Sequence, residues 1–229
     1  MSSRMKIDII TIFPEFFQGP FHHGLIRRAQ DRGVIELALH NLRDYTDDRH
    51  RTVDDTPYGG GAGMIFRPEP LAKALNAIGA VGEPIIYLSP SGAHLTQQMA
   101  NRFSLLSRIT LICGRYRGID QRIIDAYVTE EISIGDYVVS GGEIPAIVLI
   151  DAVARLIPGA LGDAESVLDD SFQNGLLDCP WYTYPSIFEG IGVPDILLSG
   201  NHARIKEWRL TMAVERTAKR RPDLLQDRA

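Results

Sequence analysis

The chain has 229 residues, of which 45% are hydrophobic and 23% are charged, and its formal net charge is −5 (24 basic against 29 acidic side chains). This composition is typical of a globular protein and argues against a disordered, collagen-like or membrane-embedded chain. The longest apolar run, Ala146–Ile150, is followed directly by Asp151 and is far shorter than the roughly 18 residues that a membrane span requires.

The N-terminus has only a faint likeness to a secretory signal. Arg4 and Lys6 precede an apolar stretch, but Asp8 interrupts that stretch and no small-residue cleavage site follows it. The two cysteines, Cys113 and Cys179, are too few for a disulfide framework and lack the spacing of metal ligands. We therefore expect a cytoplasmic protein without a membrane partner.

Strand and helix patterns alternate through the first two thirds of the chain. Short apolar or alternating runs predict strands at Ile7–Phe13, Val34–Leu39, Ile85–Leu88 and Ile109–Cys113. Helical periodicity predicts helices at Gly24–Asp31, Pro68–Ile78, around Leu95, Met99, Phe103 and Leu106, at Ile119–Tyr127 and at Ala146–Ile157. Because strands and helices alternate in this way, we predict an α/β fold with a mainly parallel sheet.

The composition changes after residue 159. Residues from Gly159 to Gly175 are small, acidic and turn-forming, and we interpret them as an inter-domain segment. The predicted organisation is a first domain at 1–160, an acidic flexible linker at 161–175 and a second domain at 176–229. In the second domain, Ile205–Lys219 is predicted to be helical, with Trp208, Met212 and Glu215 along one side.

Charge is unevenly distributed in this later part of the chain. Asp163–Asp178 contains five acidic residues and no basic one, whereas Asn201–Pro222 contains seven basic residues against two acidic ones. Such asymmetry indicates a local surface for a polyanion beside an acidic functional segment. A solvated helix face explains the basic run equally well, and charge alone does not decide between these interpretations.

Three glycine-rich segments follow or interrupt the α/β pattern, at Tyr58–Met64, Gly114–Gly118 and Ile134–Glu143. None matches the dinucleotide or phosphate-loop motifs, and no acidic residue with Gly-x-Gly follows the first strand. Each loop alone is more typical of a plain turn. Loops after neighbouring parallel strands favour a ligand site, so the residues indicate a ligand-binding α/β protein with a basic C-terminal helix.

Eight short motifs in order along the chain carry a resemblance to a known family. They are Asp8–Phe13 with Pro14, His50–Asp55, Ser89-Pro90, Cys113–Tyr116, Ser133–Glu143, Asp170–Phe172, Leu176–Pro180 and Leu198–His202. Together they are similar to the bacterial tRNA (guanine-N1)-methyltransferases, from about Lys6 to Leu225. Each motif is weak alone, but eight collinear ones are specific.

The resemblance implies a SPOUT-class fold, in which a parallel sheet carries a deep trefoil knot and a small helical C-terminal domain binds tRNA. It also implies a homodimer whose active site is shared between subunits. S-adenosylmethionine is the implied methyl donor, held in the loops of the knot. The implied cofactor-binding residues are Tyr87, Leu88, Ser89, Pro90, Gly114, Ser133, Ile134, Gly135, Asp136, Tyr137, Val138, Val139, Gly141, Gly142 and Pro145.

The same resemblance assigns the chemistry to Asp170 and Arg155. Guanine N1 must lose its proton before it can accept a methyl group, and a carboxylate such as Asp170 can act as the general base. Asp169 and Asp178 would raise the pKa of Asp170 through like-charge repulsion. Arg155 would stabilise the negative charge that moves to O6. Without the resemblance, an N-cap role for Asp170 and a surface ion pair for Arg155 are the simpler interpretations.

Arg117 departs from the family pattern, in which an acidic residue is usual at this place. That acid is expected near the target base or a magnesium ion, so Arg117 puts a metal role at this position in doubt. Two interpretations of Arg117 remain: it contacts an RNA phosphate, or it is a plain surface residue. Mg²⁺ stays a family expectation without an assigned site. His50, Arg51, Asp54 and Asp55 fit either contact with RNA or a partner subunit, or a salt-bridge network within the loop.

The predicted function is transfer of a methyl group from S-adenosylmethionine to N1 of the guanosine at position 37 of tRNA, 3′ of the anticodon. One alternative is a SPOUT methyltransferase that acts on another RNA nucleotide. Another is a catalytically silent RNA-binding module, which the basic helix alone would support. The presence of both Asp170 and Arg155 argues against a silent module.

Overall fold

The structure, a computed structural model, describes residues 4–161 and 170–226. These residues form two compact units that divide between Gly162 and Asp163. Residues 162–169 of the predicted linker lie outside the described residues, and the predicted domain limits stay a prediction. Within the described ranges, no helix is long and apolar enough to cross a membrane.

The first unit is built on a five-stranded parallel sheet. Its strands are β1 (Met5–Thr11), β2 (Ile35–Asn41), β3 (Ile85–His94), β4 (Arg108–Cys113) and β5 (Glu130–Ser133), in the order β2-β1-β4-β3-β5. All four neighbouring pairs are parallel. The α/β class with a parallel sheet, which the alternating pattern predicts, is therefore confirmed.

Five helices of seven or more residues lie in this unit: α1 (Gly24–Asp31), α2 (Pro68–Ala77), α3 (Gln97–Ser104), α4 (Gln121–Tyr127) and α5 (Glu143–Ala154). Shorter elements are helical turns at Pro14–Phe17, Gln18–Phe21 and Leu42–Tyr45 and a two-residue antiparallel pair, Asp54–Asp55 with Ile65–Phe66. The bounds of α1 agree with the sequence prediction. Helix α5 begins three residues earlier than predicted, because Pro145 fits in the first turn of a helix.

Both faces of the sheet are covered by helices. Successive side chains of a strand point to opposite faces, so Ile9 of β1 packs in a core with helices α1, α3 and α5, while Ile10 packs in a second core with α2 and α4. Residues in both cores are almost fully buried. Burial on both faces explains why the strands are continuous apolar runs, as is usual for parallel sheets.

Within residues 170–226, the second unit shows a two-residue antiparallel pair and three helices. The paired strands are Ile187–Phe188 and Ile191–Gly192. The helices are α6 (Asp195–Leu198), α7 (His202–Arg220) and α8 (Asp223–Gln226).

Helix α7 agrees with most of its sequence pattern. The side chain of Asn201 caps it by accepting a hydrogen bond from the Arg204 amide at 3.2 Å. Trp208 and Met212 are half-buried, whereas Glu215, which follows them at helical spacing, is exposed. The packed side continues instead through Thr217, whose hydroxyl oxygen accepts from the Leu177 amide at 2.8 Å and donates to the carbonyl of Ala213.

Candidate active site

A cleft opens at the carboxyl ends of β3, β4 and β5 in the first unit. The ladder between β3 and β5 shifts register between Leu88 and Ala93, so the chain there leaves regular pairing. The loop after β4 and the loop between β5 and α5 form the other walls. The lining residues are Tyr87–Ser91, Gly114–Gly118, Ile132–Gly135, Tyr137–Gly142 and Pro145. This is the place where ligands bind to open parallel sheets.

Fourteen of the fifteen predicted cofactor-binding residues line this cleft: Tyr87, Leu88, Ser89, Pro90, Gly114, Ser133, Ile134, Gly135, Tyr137, Val138, Val139, Gly141, Gly142 and Pro145. Asp136 does not, because its carboxylate turns outward to the ring of His94, with Nε2 and Oδ1 2.7 Å apart. The sequence interpretation did not assign Ser91, Arg115, Tyr116, Arg117, Gly118, Ile132 and Ser140 to the cofactor site, although most lie in its glycine loops.

Two glycines allow the walls of the cleft to touch. The amide of Gly142 donates to the carbonyl of Gly114 at 2.9 Å. A Cβ atom at Gly142 would lie 2.6 Å from the Cα of Cys113, and one at Gly114 would lie 2.9 Å from the ring of Tyr87. No real Cβ tolerates such distances, so only glycine permits this contact. Burial, with a smaller contribution from Glu131, raises the pKa of Tyr87 to about 12, and its hydroxyl therefore stays neutral.

A buried ion pair lies beneath this contact. Glu143, at the start of α5, is 1% exposed, accepts a hydrogen bond from the Thr11 hydroxyl at 2.8 Å and pairs with Nε of Arg115 at 2.9 Å. Arg115 also covers the ring of Phe13 at 4.7 Å. Burial raises the pKa of the Cys113 thiol, and the Glu143 charge raises it further, which favours the neutral thiol. Because Arg115 lines the cleft, this ion pair holds part of the cleft wall in place.

The loop before α5 offers backbone groups to a ligand. The amides of Val138, Val139 and Ser140 take part in no hydrogen bond among the described residues. Leu88, Ile132 and Pro145 add apolar surface to the same cleft. Unpaired backbone donors above an apolar floor suit a planar heterocycle with polar edges.

The cleft does not suit a divalent cation. None of its lining residues is Asp or Glu, whereas two are arginines. Across residues 4–161 and 170–226, no group of three His, Cys, Asp or Glu side chains is placed to hold a metal ion. Mg²⁺ prefers carboxylate oxygens, so the residues present do not fit it.

The two predicted catalytic residues lie in different units. Arg155 follows the last residue of α5, where its amide donates to the carbonyl of Asp151 at 3.3 Å. Asp170 is the first described residue of the second unit, and its backbone carbonyl accepts from the Gln173 amide at 3.3 Å. The assignment of both side chains to one site stays a prediction. Asp169 lies outside the described residues.

Asp178, the second residue predicted to raise the pKa of Asp170, has hydrogen-bond partners of its own. Its carboxylate accepts from the indole of Trp181 at 2.5 Å and from the Cys179 amide at 2.7 Å.

In the first unit, Arg51 pairs with Asp44, and Asp54–Asp55 is one strand of the short antiparallel pair. These contacts favour the salt-bridge interpretation for Arg51.

The basic residues of α7 differ in how far they are neutralised. Arg221, just after the helix, pairs with Asp223 at 2.6 Å and lies 5.8 Å from the ring of Phe172. Arg209 covers the ring of Trp181 at 4.3 Å. By contrast, the part of the chain that the structure describes gives no salt bridge to four exposed side chains: Arg204, Lys206, Lys219 and Arg220.

Comparison with known proteins gives a consistent result. The family model described as tRNA (Guanine-1)-methyltransferase TrmD matches residues 5–227. A protein of Dictyoglomus turgidum is 54% identical over 97% of this chain and 90% of its own length. A protein of Aromatoleum aromaticum is 53% identical over 97% of this chain and 88% of its own length. A protein of Dehalococcoides mccartyi is 50% identical over 97% of this chain and 91% of its own length. All three relatives are named tRNA (guanine-N(1)-)-methyltransferase.

Proposed function

Because the chain belongs to the tRNA (guanine-1)-methyltransferase family, we infer that it transfers a methyl group to N1 of a guanosine in tRNA. The observation that carries this inference is the match of the family model to residues 5–227. Relatives that are 53–54% identical over 97% of this chain agree with it. The target is guanosine 37, 3′ of the anticodon, in keeping with the family. Methylation there supports maintenance of the reading frame.

We propose S-adenosylmethionine as the methyl donor, bound in the cleft. When bound, it supplies an electrophilic methyl group on a positively charged sulfur. The unpaired amides of Val138, Val139 and Ser140 support this assignment, because they can bond the edge of an adenine ring. The glycines at 114 and 142 leave room where any Cβ would clash. The knot implied by the resemblance is part of this proposal.

The base proposed for the reaction is Asp170. At neutral pH guanine N1 carries a proton, so its lone pair is not available to the methyl carbon. The carboxylate of Asp170 takes this proton, and negative charge moves to O6 of the guanine. A general base of this kind contributes roughly 10²–10⁴ in rate. No step is assigned to Mg²⁺, because the lining of the cleft contains no carboxylate for it.

Arg155 is proposed to stabilise the charge on O6, and its place along α5 supports an active site shared by two subunits. Gly142 and Pro145, at the start of this twelve-residue helix, line the cleft, whereas Arg155 follows its last residue. A helix rises about 1.5 Å per residue, so the backbone of Arg155 lies roughly 15 Å along the helix axis from Pro145. A second copy of the chain, related by symmetry, can bring its own Arg155 to this cleft. We therefore propose a homodimer.

Nucleoside analysis tests the proposed function. Bulk tRNA that lacks modifications is incubated with the protein and methyl-labelled S-adenosylmethionine, then digested and analysed by mass spectrometry. The expected product is 1-methylguanosine carrying the label. A different methylated nucleoside would indicate a SPOUT enzyme that acts elsewhere on RNA, and no methylation with intact tRNA binding would indicate a silent RNA-binding module.

A further inference from the structure

Arg117 lies at the rim of the cleft, in the loop that follows β4, and is exposed to solvent. Its backbone amide donates to the carbonyl of Met64 at 3.0 Å, and Nε of its side chain donates to the carbonyl of Ala62. Both acceptors belong to the glycine-rich segment Tyr58–Met64. This segment, which the proposed function leaves without a role, therefore holds the arginine from two sides.

Glycines of that segment leave space for the stem of Arg117. A Cβ at Gly63 would lie 3.3 Å from its Cγ, and a Cβ at Gly61 would lie 3.6 Å from its Nη2. Both glycines also have positive φ values, +95° and +109°, which side chains with a Cβ rarely adopt. The contacts with this segment restrict the stem of Arg117 before any ligand arrives, which lowers the entropy cost of binding.

The charge of Arg117 is not neutralised by the described residues. Arg115 in the same loop is paired with Glu143, and nearby Arg122 is paired with Asp120. Within residues 4–161 and 170–226, Arg117 forms no salt bridge, and neither of its Nη groups donates a hydrogen bond. The outer edge of the guanidinium thus presents two parallel donors beside a cleft without carboxylates.

We propose that Arg117 binds a phosphate group of the tRNA backbone next to the target guanosine. This proposal rests on the proposed function, since it takes tRNA as the substrate. A planar guanidinium with both Nη groups available matches two phosphate oxygens at once. Its Nε contact with Ala62 holds the guanidinium beside Gly61, at the rim of the cleft. Arg117 is accordingly a positioning residue for tRNA and does not touch the reacting atoms.

Salt-dependent tRNA binding tests the role of Arg117. The logarithm of the binding constant falls linearly with the logarithm of the salt concentration. Removing one cation that neutralises a phosphate reduces the magnitude of this slope by about 0.7–0.9. We expect Arg117→Gln to lower the slope by this amount, while Arg117→Lys keeps most of it because the charge remains. Affinity for S-adenosylmethionine, measured by calorimetry, shows whether either substitution disturbs the cleft that Arg117 borders.

Arg28→Gln is the matched control. Arg28 is also exposed, also bonds a backbone carbonyl (that of Gly24) and forms no salt bridge among the described residues, but it lies on α1 outside the cleft. Its slope should equal that of the wild type. Three results would each overturn the proposal. They are an unchanged slope in Arg117→Gln, a fall of equal size in Arg28→Gln, and weaker S-adenosylmethionine binding in Arg117→Gln. The last result would mean that Arg117 only supports the glycine segment.

The same experiment separates this proposal from the proposed function. If the wild type binds tRNA but produces no 1-methylguanosine, the proposed function fails while the slopes still decide on Arg117. If methylation occurs and the slopes are equal, the role of Arg117 alone fails. If the wild type binds no tRNA, both fail.

Discussion

Asp8 is a carboxylate in the middle of β1 with no exposure to solvent. It accepts hydrogen bonds from His40 at 2.7 Å and Arg108 at 2.9 Å, and Lys6 lies 3.3 Å away. Arg108 in turn donates to the carbonyls of Ile78 and Gly79 after α2. Burial by itself raises the pKa of Asp8, but these partners together hold it below its usual value. The charge therefore connects the sheet to the end of a helix.

The lowered pKa of Asp8 predicts a loss of stability in acid. A carboxyl whose pKa is lower in the folded state contributes stability above its unfolded value of about 3.9, and that contribution disappears as pH falls through the folded value. Asp8→Asn should cost about 3 kcal/mol at pH 7 and less at pH 3. Urea unfolding at both pH values measures this difference. Asp31→Asn, which removes an exposed pair with Arg27, is the control and should change little.

At the proposed catalytic residues, two substitutions separate chemistry from binding. Asp170→Asn keeps the shape but removes the proton acceptor, so methyl transfer should fall by roughly 10²–10⁴. Arg155→Ala should cost roughly 10²–10³ if its charge serves O6. Single-turnover rates with saturating S-adenosylmethionine and tRNA measure both. Because the two groups serve one transition state, the double variant should lose less than the product of the single effects. Near-normal transfer by Asp170→Asn would contradict the base assignment.

At the scale of elements, hydrophobic patterning predicts most strands and helices because these elements are buried in regular ways. It misses β5, since Glu130–Ser133 is only four residues long and begins with two acidic residues. It also ends β3 at Leu88, where the register shift interrupts pairing. It also does not predict the buried Thr217 on α7, because this polar residue is buried through its own hydrogen bonds.

The basic residues of α7 yield a prediction with an internal control. Arg220 is exposed and forms no salt bridge among the described residues, whereas its neighbour Arg221 is paired with Asp223. If α7 binds tRNA phosphates, Arg220→Ala should reduce the salt slope of tRNA binding by about 0.7–0.9, and Arg221→Ala should reduce it less. S-adenosylmethionine affinity should not change. Equal, unaltered slopes in both variants would support the solvated-surface interpretation.

The candidate site was predictable only in part, for a physical reason. Its glycine loops lie next to strands in the sequence and follow a local pattern, so Gly114, Gly135 and Gly142 stand out. The network of Glu143 with Arg115 and Thr11 does not stand out in the sequence, because its members are far apart along the chain. Glu143 and Thr11 are 132 residues apart. Such contacts depend on the folded arrangement of the strands, which no local motif encodes. The catalytic assignments rest on the family resemblance alone.

At the scale of the whole molecule, the position of Arg155 predicts complementation between subunits. Gly141→Val should disrupt the cleft, because a Cβ there would lie 2.3 Å from Nε of Arg115 and 2.7 Å from the carboxylate of Glu143. In the proposed site, the cleft of one subunit combines with Arg155 of the second subunit. Arg155→Ala removes this second contribution and leaves the cleft intact. Each variant alone should be nearly inactive. Mixed and refolded together, they should recover about a quarter of wild-type activity, because half of the dimers carry one intact site.

Sedimentation and S-adenosylmethionine binding by each variant serve as controls for this mixture. Both variants should be dimers, and Arg155→Ala should bind S-adenosylmethionine normally. A mixture no more active than its components would contradict the shared active site.

The most direct test of the proposed reaction is to locate the methyl group on tRNA. An unmodified tRNA transcript with guanosine at position 37 is compared with one that carries adenosine there, each incubated with the wild type or Asp170→Asn and labelled S-adenosylmethionine. Mass spectrometry of the anticodon-loop fragment should find 1-methylguanosine at position 37 only for the wild type with the guanosine transcript. Methylation at another nucleotide, or equal methylation of the adenosine transcript, would contradict the assignment.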